Sequence, residues 1–134
     1  MAEVREGMSS IVLSVGPSHT LRQTAEKMTE KKTGAALVFD DEGQGPRIIT
    51  ERDILYSVGA GEDPDNEKVA DHMSDSVISA APDWSLERAA HEMTQRNIRH
   101  LVVVDGGELV GVLSMRDIVR VWTTAGATVA VTPP

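Results

Sequence analysis

The strongest constraint on the fold of this chain is an internal repeat. The segment SHTLRQTAEKMTEKKTGAALVFD after Pro17 aligns without a gap with DWSLERAAHEMTQRNIRHLVVVD after Pro82. A following turn differs in length by one residue, and beyond it ITERDIL at 49–55 aligns with LSMRDIV at 113–119. The match covers nearly all of both halves of the 134-residue chain, and a tandem repeat predicts two structural units of one plan.

Hydrophobic periodicity predicts the order β-α-β-β-α in each repeat. The first helix begins after Thr20 in one copy and after Ser85 in the other, because a hydroxyl at that place favours an N-cap. Two short β-branched runs follow, joined by a polar turn, and such runs are typical of strands. The second helix is predicted over residues 51–59 and 115–124. The predicted fold class is therefore α/β, in the α+β arrangement, with two such repeats.

The predicted domain boundaries follow the repeat. Residues 1–62 form repeat 1, residues 63–124 form repeat 2 together with a short linker helix near 66–73, and residues 125–134 form a flexible tail. A half of about 60 residues buries little apolar surface on its own. We therefore expect the two repeats to pack against each other with pseudo-two-fold symmetry.

The composition restricts the partners. A formal net charge of −8 opposes nonspecific nucleic-acid binding, which needs Lys and Arg to neutralise phosphates. It still allows an anionic small molecule, because a few local cations dominate the field at short range. No apolar run is long enough to span a bilayer, and the N-terminus lacks the plan of a secretory signal. We expect a soluble, cytoplasmic protein without nucleic-acid or membrane partners.

Sequence motifs of catalysis and metal binding are missing. The chain has no cysteine, no Walker-type loop, no GxGxxG after a strand and no HExxH. The four histidines lack paired ligand spacing, and DPDNEK at 63–68 lacks the glycine and the terminal acidic residue of a calcium loop. We therefore expect no enzyme activity, no catalytic residue, no required cofactor and no metal site.

A hydroxyl and a carboxylate three residues apart recur at the start of the second helix, as Thr50 and Asp53 and as Ser114 and Asp117. Helix capping explains the spacing, since the hydroxyl accepts from an amide of the first turn and the acid interacts with the helix dipole. A ligand site explains it too, because a helix N-terminus suits phosphate and a carboxylate accepts from ribose hydroxyls. One side chain can do both, and the spacing leaves both interpretations open.

The repeat resembles a tandem cystathionine β-synthase (CBS) domain pair over roughly residues 4–123. The resemblance rests on TL…A…M at the first helix and on IRHLVVVD, ELVGVLSMRDI and IITERDIL in their order. It implies a stand-alone regulatory module that forms a homodimer and acts on an unknown effector protein. It also implies an adenosine-containing ligand (AMP, ADP, ATP or S-adenosylmethionine) in a cleft between the copies.

The resemblance further implies roles for single residues. Two aspartates, Asp53 and Asp117, would bind the ribose. Two hydroxyl residues, Thr50 and Ser114, would face the phosphate, and Gly111 would let the ligand approach the backbone closely. The cations that could reach the phosphates are Arg99, His100, Arg52 and Arg116. A solvated strand start explains the first two equally well, and the other two are more typical of residues that face solvent or pair with nearby acids. An apolar slot for adenine, which a plain core would equally explain, would come from Val12, Leu13, Val77 and Ile78.

The two copies differ at this candidate site. Where the second copy has Gly111, the first has Arg47, which would either spoil a family-like pocket or supply a cation to an anionic ligand. Where the second copy has Arg99 and His100 at the head of a strand, the first has a glycine and an alanine. The second copy is therefore the better candidate for a ligand site. The alternative function is a constitutive dimer that scaffolds a partner and binds no nucleotide.

Overall fold

The computed structural model describes residues 2–39, 46–75 and 77–124. The predicted polar turn at 40–45 and the predicted tail at 125–134 lie outside these ranges. The helices are α1 (Val4–Gly7), α2 (Leu21–Lys31), α3 (Glu51–Gly59), α4 (Leu86–Arg96) and α5 (Met115–Thr124), with a 3₁₀ turn at Val69–Asp71. The strands are β1 (Ser14–Val15), β2 (Ala35–Val38), β3 (Arg47–Thr50), β4 (Ser79–Ala80), β5 (His100–Asp105) and β6 (Glu108–Ser114).

Two three-stranded sheets, β1-β2-β3 and β4-β5-β6, have the same topology. In each sheet the first strand runs parallel to the second, and the second pairs antiparallel with the third. The predicted order β-α-β-β-α and the α/β fold class are thereby confirmed. The helices α3 and α5 begin and end at the predicted residues.

The first helix of each repeat begins at the predicted cap. Thr20 Oγ1 accepts from the backbone N–H of Gln23 at 3.1 Å, and Gln23 Oε1 accepts from the N–H of Thr20 at 2.9 Å. These two bonds form a capping box, which satisfies amides that have no partner inside the helix. Ser85 Oγ likewise accepts from the N–H of Arg88 at 3.1 Å. Local hydrogen bonding therefore sets where α2 and α4 start.

Each sheet packs with its helices around an aliphatic core. Side chains with no exposed surface in the core that contains β5 and β6 include Leu86, Met93, Leu101 and Leu113. In the core that contains β2 and β3, Leu21 and Ile49 likewise have no exposed surface. Each buried side chain of this size contributes about 1.5–3 kcal/mol to folding. The low aromatic content of 3% is thus compatible with two well-filled interiors.

The segment that precedes each repeat in the sequence packs with the other repeat. Described residues between 12 and 77 form one unit, here the first-repeat unit, whereas those between 2 and 11 join those between 78 and 124 in the second-repeat unit. The linker places Val69 in the first core, and α1 places Val4 in the second core. The packing boundaries therefore differ from the predicted division at residues 62 and 63, and the predicted linker helix is only the short 3₁₀ turn.

The open edge of each sheet explains this exchange. Ser9 forms an antiparallel bridge with Val112 beside β6, with N–H···O distances of 2.9 and 3.0 Å. Ser74 forms the same bridge with Ile48 beside β3, at 2.8 and 3.2 Å. An edge strand presents unpaired N–H and C=O groups, and a short added segment satisfies some of them. Each unit thus gains a fourth extended piece at its edge.

Within the described ranges, no helix has the length and apolar character needed to cross a membrane. The helices α2 and α4 have 11 residues each, whereas a membrane-spanning helix needs about 20.

Candidate functional site

The second-repeat corner, defined as Arg99, His100, Ser114 and Asp117, lies where β6 passes into α5. His100, the first residue of β5, is directly opposite Ser114, the last residue of β6. The carbonyl of Arg99 accepts from the N–H of Met115 at 2.9 Å, which fixes the backbone before β5 against the first turn of α5. Antiparallel pairing therefore places Arg99 and His100 beside the Ser-x-x-Asp motif. The residues predicted to share one site are thus neighbours on the backbone.

A reciprocal capping box shapes this corner. Ser114 Oγ accepts from the N–H of Asp117 at 3.0 Å, and Asp117 Oδ2 accepts from the N–H of Ser114 at 2.9 Å. The predicted capping role is thus confirmed for both residues. The box also immobilises the hydroxyl and the carboxylate at the N-terminus of a ten-residue helix.

Capping leaves Asp117 with acceptor capacity. A carboxylate offers about four lone-pair positions, and the Ser114 amide uses one of them. The other oxygen, Oδ1, lies 3.4 Å from Arg120 Nη2, and the same nitrogen donates to the carbonyl of Gly7 at 3.0 Å. The Asp117 side chain retains 23% of its surface exposed, so solvent or a ligand reaches it. Arg120 was not predicted from the sequence, although its i, i+3 spacing to Asp117 on a helix is a usable signal.

Gly111 has a neighbour that the sequence did not suggest. A Cβ built at this position would lie 2.6 Å from the carbonyl oxygen of Ser9 and 3.2 Å from Met8 Sδ. The close backbone approach that we predicted for a ligand is therefore made by the chain's own leading segment. Gly111 is buried beneath that segment, and its lack of a side chain has a packing explanation.

The first-repeat corner, defined as Gly34, Ala35, Thr50 and Asp53, repeats the backbone arrangement. Ala35 is opposite Thr50, and the carbonyl of Gly34 accepts from the N–H that begins α3 at 2.9 Å. Asp53 Oδ2 accepts from the N–H of Thr50 at 2.8 Å and from its hydroxyl at 3.2 Å. The capping role predicted from the spacing is confirmed in this copy too.

Side-chain charge differs sharply between the corners. A Cβ at Gly34 would lie 2.9 Å from Glu51 Cδ and 3.0 Å from Glu51 Oε1, so the Glu51 carboxylate covers this glycine. The second-repeat corner has Met115 at the position of Glu51 and Arg99 at the position of Gly34. The first corner thus presents an acid where the second presents a thioether and a guanidinium. Glu51 was not among the residues predicted from the sequence to distinguish the two copies.

Arg47 and Asp75 form an ion pair with an Nε–Oδ1 distance of 3.0 Å. This pair holds the linker beside β3, next to the bridge between Ile48 and Ser74. This ion pair explains the presence of Arg47 without either of the predicted roles, which were to spoil a family-like pocket or to supply a cation to an anionic ligand. The other two candidate cations differ in exposure: Arg116 is exposed, and Arg52 is half-buried.

The four residues predicted for an adenine slot lie just before the first strand of each sheet. All four are partly buried: Val12, Leu13, Val77 and Ile78. The carbonyl of Leu13 accepts from Leu37 at 2.9 Å, and that of Ile78 accepts from Val102 at 3.1 Å. Leu13 and Ile78 also pack against the cores of their own units. A core role is therefore established for these two side chains.

A groove of about 520 Å³ lies between α2 and α3 in the first-repeat unit. It is lined by Arg22, Ala25, Glu26, Thr29, Glu30, Ile54, Val58 and Pro64. None of the predicted site residues lines this groove. The groove is therefore not part of the candidate site.

Comparison with known proteins identifies the repeat. The sequence pattern of the CBS domain family matches residues 1–60 and 69–123. The uncharacterized protein MK0525 of Methanopyrus kandleri is 33% identical over 88% of this chain, and the match spans 61% of that relative. The CBS domain-containing protein YhcV of Bacillus subtilis is 32% identical over 88% of this chain and 84% of its own length.

A solved structure agrees with the sequence match. The CBS domain protein PAE2072 of Pyrobaculum aerophilum, complexed with AMP, superposes with a TM-score of 0.75. It is 30% identical, and the match covers 92% of this chain and 99% of that one. The resemblance drawn from the repeat is therefore confirmed. This chain carries two copies of the CBS domain and belongs to the CBS domain family.

Proposed function

We propose that the chain is a regulatory CBS module that binds an adenosine-containing ligand at the second-repeat corner. The ligand is AMP, ADP, ATP or S-adenosylmethionine. Asp117 accepts hydrogen bonds from the ribose hydroxyls, and Ser114 with the N-terminus of α5 faces the phosphate or equivalent polar group. Arg99 supplies positive charge, and His100 supplies an imidazole beside it. The proposal gives the chain no catalytic step.

The observation that carries this proposal is the pairing of His100 with Ser114. It brings a basic pair to a helix N-terminus that already presents a hydroxyl and a carboxylate. A helix N-terminus favours an anion through its partial positive charge. The AMP complex of the relative PAE2072 supports an adenosine ligand for this family of folds.

Electrostatics favours the second corner over the first. Unit charges 4 Å apart interact by about 1 kcal/mol in water and by about 4 kcal/mol near a protein surface. The Glu51 carboxylate beside Gly34 therefore opposes a phosphate at the first corner, whereas Arg99 favours one at the second. We infer one strong site per chain, with Thr50 and Asp53 forming a weaker one.

A second function, a scaffold without a nucleotide, is favoured by the exposed apolar side chains of two helices. Leu55 and Tyr56 on α3 are each 66% exposed, and Val119 on α5 is 53% exposed. Surfaces of this kind commonly mark protein contacts. The proposal includes a homodimer that forms through these helices. The scaffold function needs this homodimer and no ligand.

The test of the sensor function is a thermal-shift screen with AMP, ADP, ATP and S-adenosylmethionine, followed by calorimetry. A ligand at a hundred times its dissociation constant stabilises by about 2.7 kcal/mol, which raises Tm by several degrees. Asp117→Ala should remove the effect, and Asp117→Asn, which keeps a capping oxygen, should weaken binding without loss of the fold. Asp53→Ala is the matched control and should reduce affinity less.

The outcomes separate the two functions. No stabilisation by any of the four ligands, together with a dimer in sedimentation experiments, would leave the scaffold as the function. Binding that survives unchanged in both Asp117 variants would place the ligand elsewhere on the chain.

A further inference from the structure

Three side chains outside the corner converge in the first-repeat unit. His72 Nε2 lies 2.8 Å from Glu67 Oε1 and 3.9 Å from Glu62 Oε1. One ligand atom from each residue lies within 4.8 Å of the other two. Ser57, which is 3% exposed, donates from its hydroxyl to Glu62 Oε1 at 2.8 Å and orients that carboxylate. The result is a cluster of two carboxylates and one imidazole at the end of α3.

The cluster has no counterpart among the described residues of the other unit. The internal repeat aligns Glu67, His72 and Ser57 with Ala2, Gly7 and Val121. In the second-repeat unit these positions are apolar, and a Cβ at Gly7 would lie 3.1 Å from Val121 Cγ2. At these positions the first-repeat unit thus has polar side chains where the second-repeat unit has a packed apolar contact. The bonds within the cluster join side chain to side chain, so they cap no helix.

The backbone holds all three residues in position. The N–H of Glu62 donates to the carbonyl of Ser57 at 3.1 Å, and the N–H of Glu67 donates to that of Asp63 at 2.9 Å. The N–H of His72 donates at 3.0 Å to the carbonyl of Val69, a residue with no exposed surface. Side chains on a fixed backbone form a preorganised ligand set, which lowers the entropy lost on binding.

Neighbouring acids have other contacts, which separates the cluster from a general acidic surface. Asp65 bonds to Arg22, and this hydrogen bond and the negative charge of Asp65 raise the pKa of the Arg22 guanidinium. Asp63 accepts from the side chain of Asn66 at 3.1 Å. The two glutamates contact the imidazole instead, so the three ligand atoms carry more negative than positive charge.

The chemistry of this ligand set fits a transition-metal ion. An imidazole nitrogen suits Zn²⁺, Cu²⁺, Fe²⁺ or Ni²⁺, whereas all-oxygen sets suit Mg²⁺ or Ca²⁺. A tetrahedral Zn²⁺ with bonds of about 2.0–2.1 Å places its ligand atoms about 3.3 Å apart. The observed separations of 2.8 and 3.9 Å lie on either side of that value. The side chains are 17%, 28% and 42% exposed for His72, Glu67 and Glu62, which leaves room for water as a fourth ligand.

We propose that Glu62, Glu67 and His72 form a site for one divalent transition-metal ion, with Zn²⁺ as the representative ion. The bound ion joins the linker to the end of α3 within the first-repeat unit. Ser57 is a positioning residue, because it contacts Glu62 and not the ion. No metal site was expected from the sequence, because His72 is five residues from Glu67 and ten from Glu62, and this spacing matches no common ligand motif.

The experiment titrates the untagged full chain with Zn²⁺ in an isothermal calorimeter, since a histidine tag would bind the metal itself. We expect one Zn²⁺ per chain at this site and a rise in Tm that EDTA reverses. His72→Gln and Glu67→Gln should each weaken binding at least tenfold. His91→Gln, which changes an exposed histidine on α4, is the matched control and should bind as the wild type does.

Two further measurements keep the result decisive. Circular dichroism of the metal-free variants confirms that they fold, and Co²⁺ added to the wild-type chain should give the visible bands of a four-coordinate site. The proposal fails if Zn²⁺ produces no saturable heat, or if His72→Gln binds as tightly as the control. In either case the cluster is only a hydrogen-bonded group of one imidazole and two carboxylates.

Discussion

At the end of β3, Thr50 faces Ala35 across the sheet, whereas at the end of β6 Ser114 faces His100. Both corners close a capping box with an aspartate three residues later. The first corner then has Glu51 lying over Gly34, and the second has an arginine at the matching strand head. One backbone arrangement therefore carries two different charge patterns.

The difference shows which parts of a repeat preserve structure and which can diverge. The capping residues recur because their hydrogen bonds are local and stabilise the helix in either copy. The strand heads and the first helical residue project from the same corner without contributing to the cap. Those positions can change charge at little cost to the fold, and they decide which corner suits an anion.

The largest effect should come from the cores, which we expect to be equivalent. Leu113→Ala and Ile49→Ala remove matching side chains that have no exposed surface. Each should lower the free energy of unfolding by about 2–5 kcal/mol, because a cavity adds to the lost burial. Urea denaturation measures both, with Ile11→Ala, which changes a side chain that is 87% exposed, as the control. A loss below about 1 kcal/mol in only one of them would show that the two cores are not equivalent.

A smaller effect should separate the two glycines near the corners. An alanine Cβ at Gly111 would lie 2.6 Å from the Ser9 carbonyl, so backbone must shift. An alanine at Gly34 would meet only the flexible Glu51 side chain, which can turn away. We expect Gly111→Ala to cost about 1–3 kcal/mol and Gly34→Ala less than about 0.5 kcal/mol in chemical denaturation. Equal costs would contradict the assigned role of the leading segment.

Exchanging the charge pattern tests the ligand assignment. The double variant Arg99→Ala with His100→Ala gives the second corner the small neutral strand head of the first. We expect ligand affinity to fall at least tenfold, which is about 1.4 kcal/mol, in calorimetry. Arg96→Ala removes a nearby positive charge that pairs with Glu92 and serves as the control. An equal loss in that control would mean that net charge alone, rather than the corner, holds the ligand.

The smallest effect concerns the capping hydroxyls. Ser114→Ala and Thr50→Ala should each lower the free energy of unfolding by about 1 kcal/mol, since each removes a cap of the same kind. Ligand affinity should fall only in Ser114→Ala, apart from the minor contribution of the weaker site. Thermal denaturation with and without ligand measures both quantities. A stability loss confined to one variant would show that the caps differ.

Most of the architecture was predictable because it depends on local patterns. The spacing of Leu21 and Met28 places both on the buried face of α2, and the hydroxyl of Thr20 marks where that helix starts. The leading segments were missed, although VREGMS at 4–9 and VADHMS at 69–74 align at the same spacing as the rest of the repeat. They contain only a four-residue helix and a three-residue turn, which are too short for hydrophobic periodicity to reveal.

The candidate site was predictable in its residues and not in its surroundings. Ser114 and Asp117 are close in sequence, so their spacing already defines their hydrogen bonds. The neighbour of Gly111 comes from a segment about 100 residues earlier, and no local pattern encodes that contact. The charge of Glu51 was visible in the sequence, but its position over Gly34 depends on the pairing of β2 with β3.

The sequence alone was sufficient to establish two copies of one unit, the starts of their helices and the hydroxyl-carboxylate pair at each corner. These features follow from side chains that act on their own helix or strand, over a few residues. Only the tertiary structure decided that Ser9 covers Gly111, that the linker packs with the first repeat and that Glu62, Glu67 and His72 meet. Such contacts depend on which segment satisfies the open edge of each sheet, and that choice is made by packing between residues far apart along the chain.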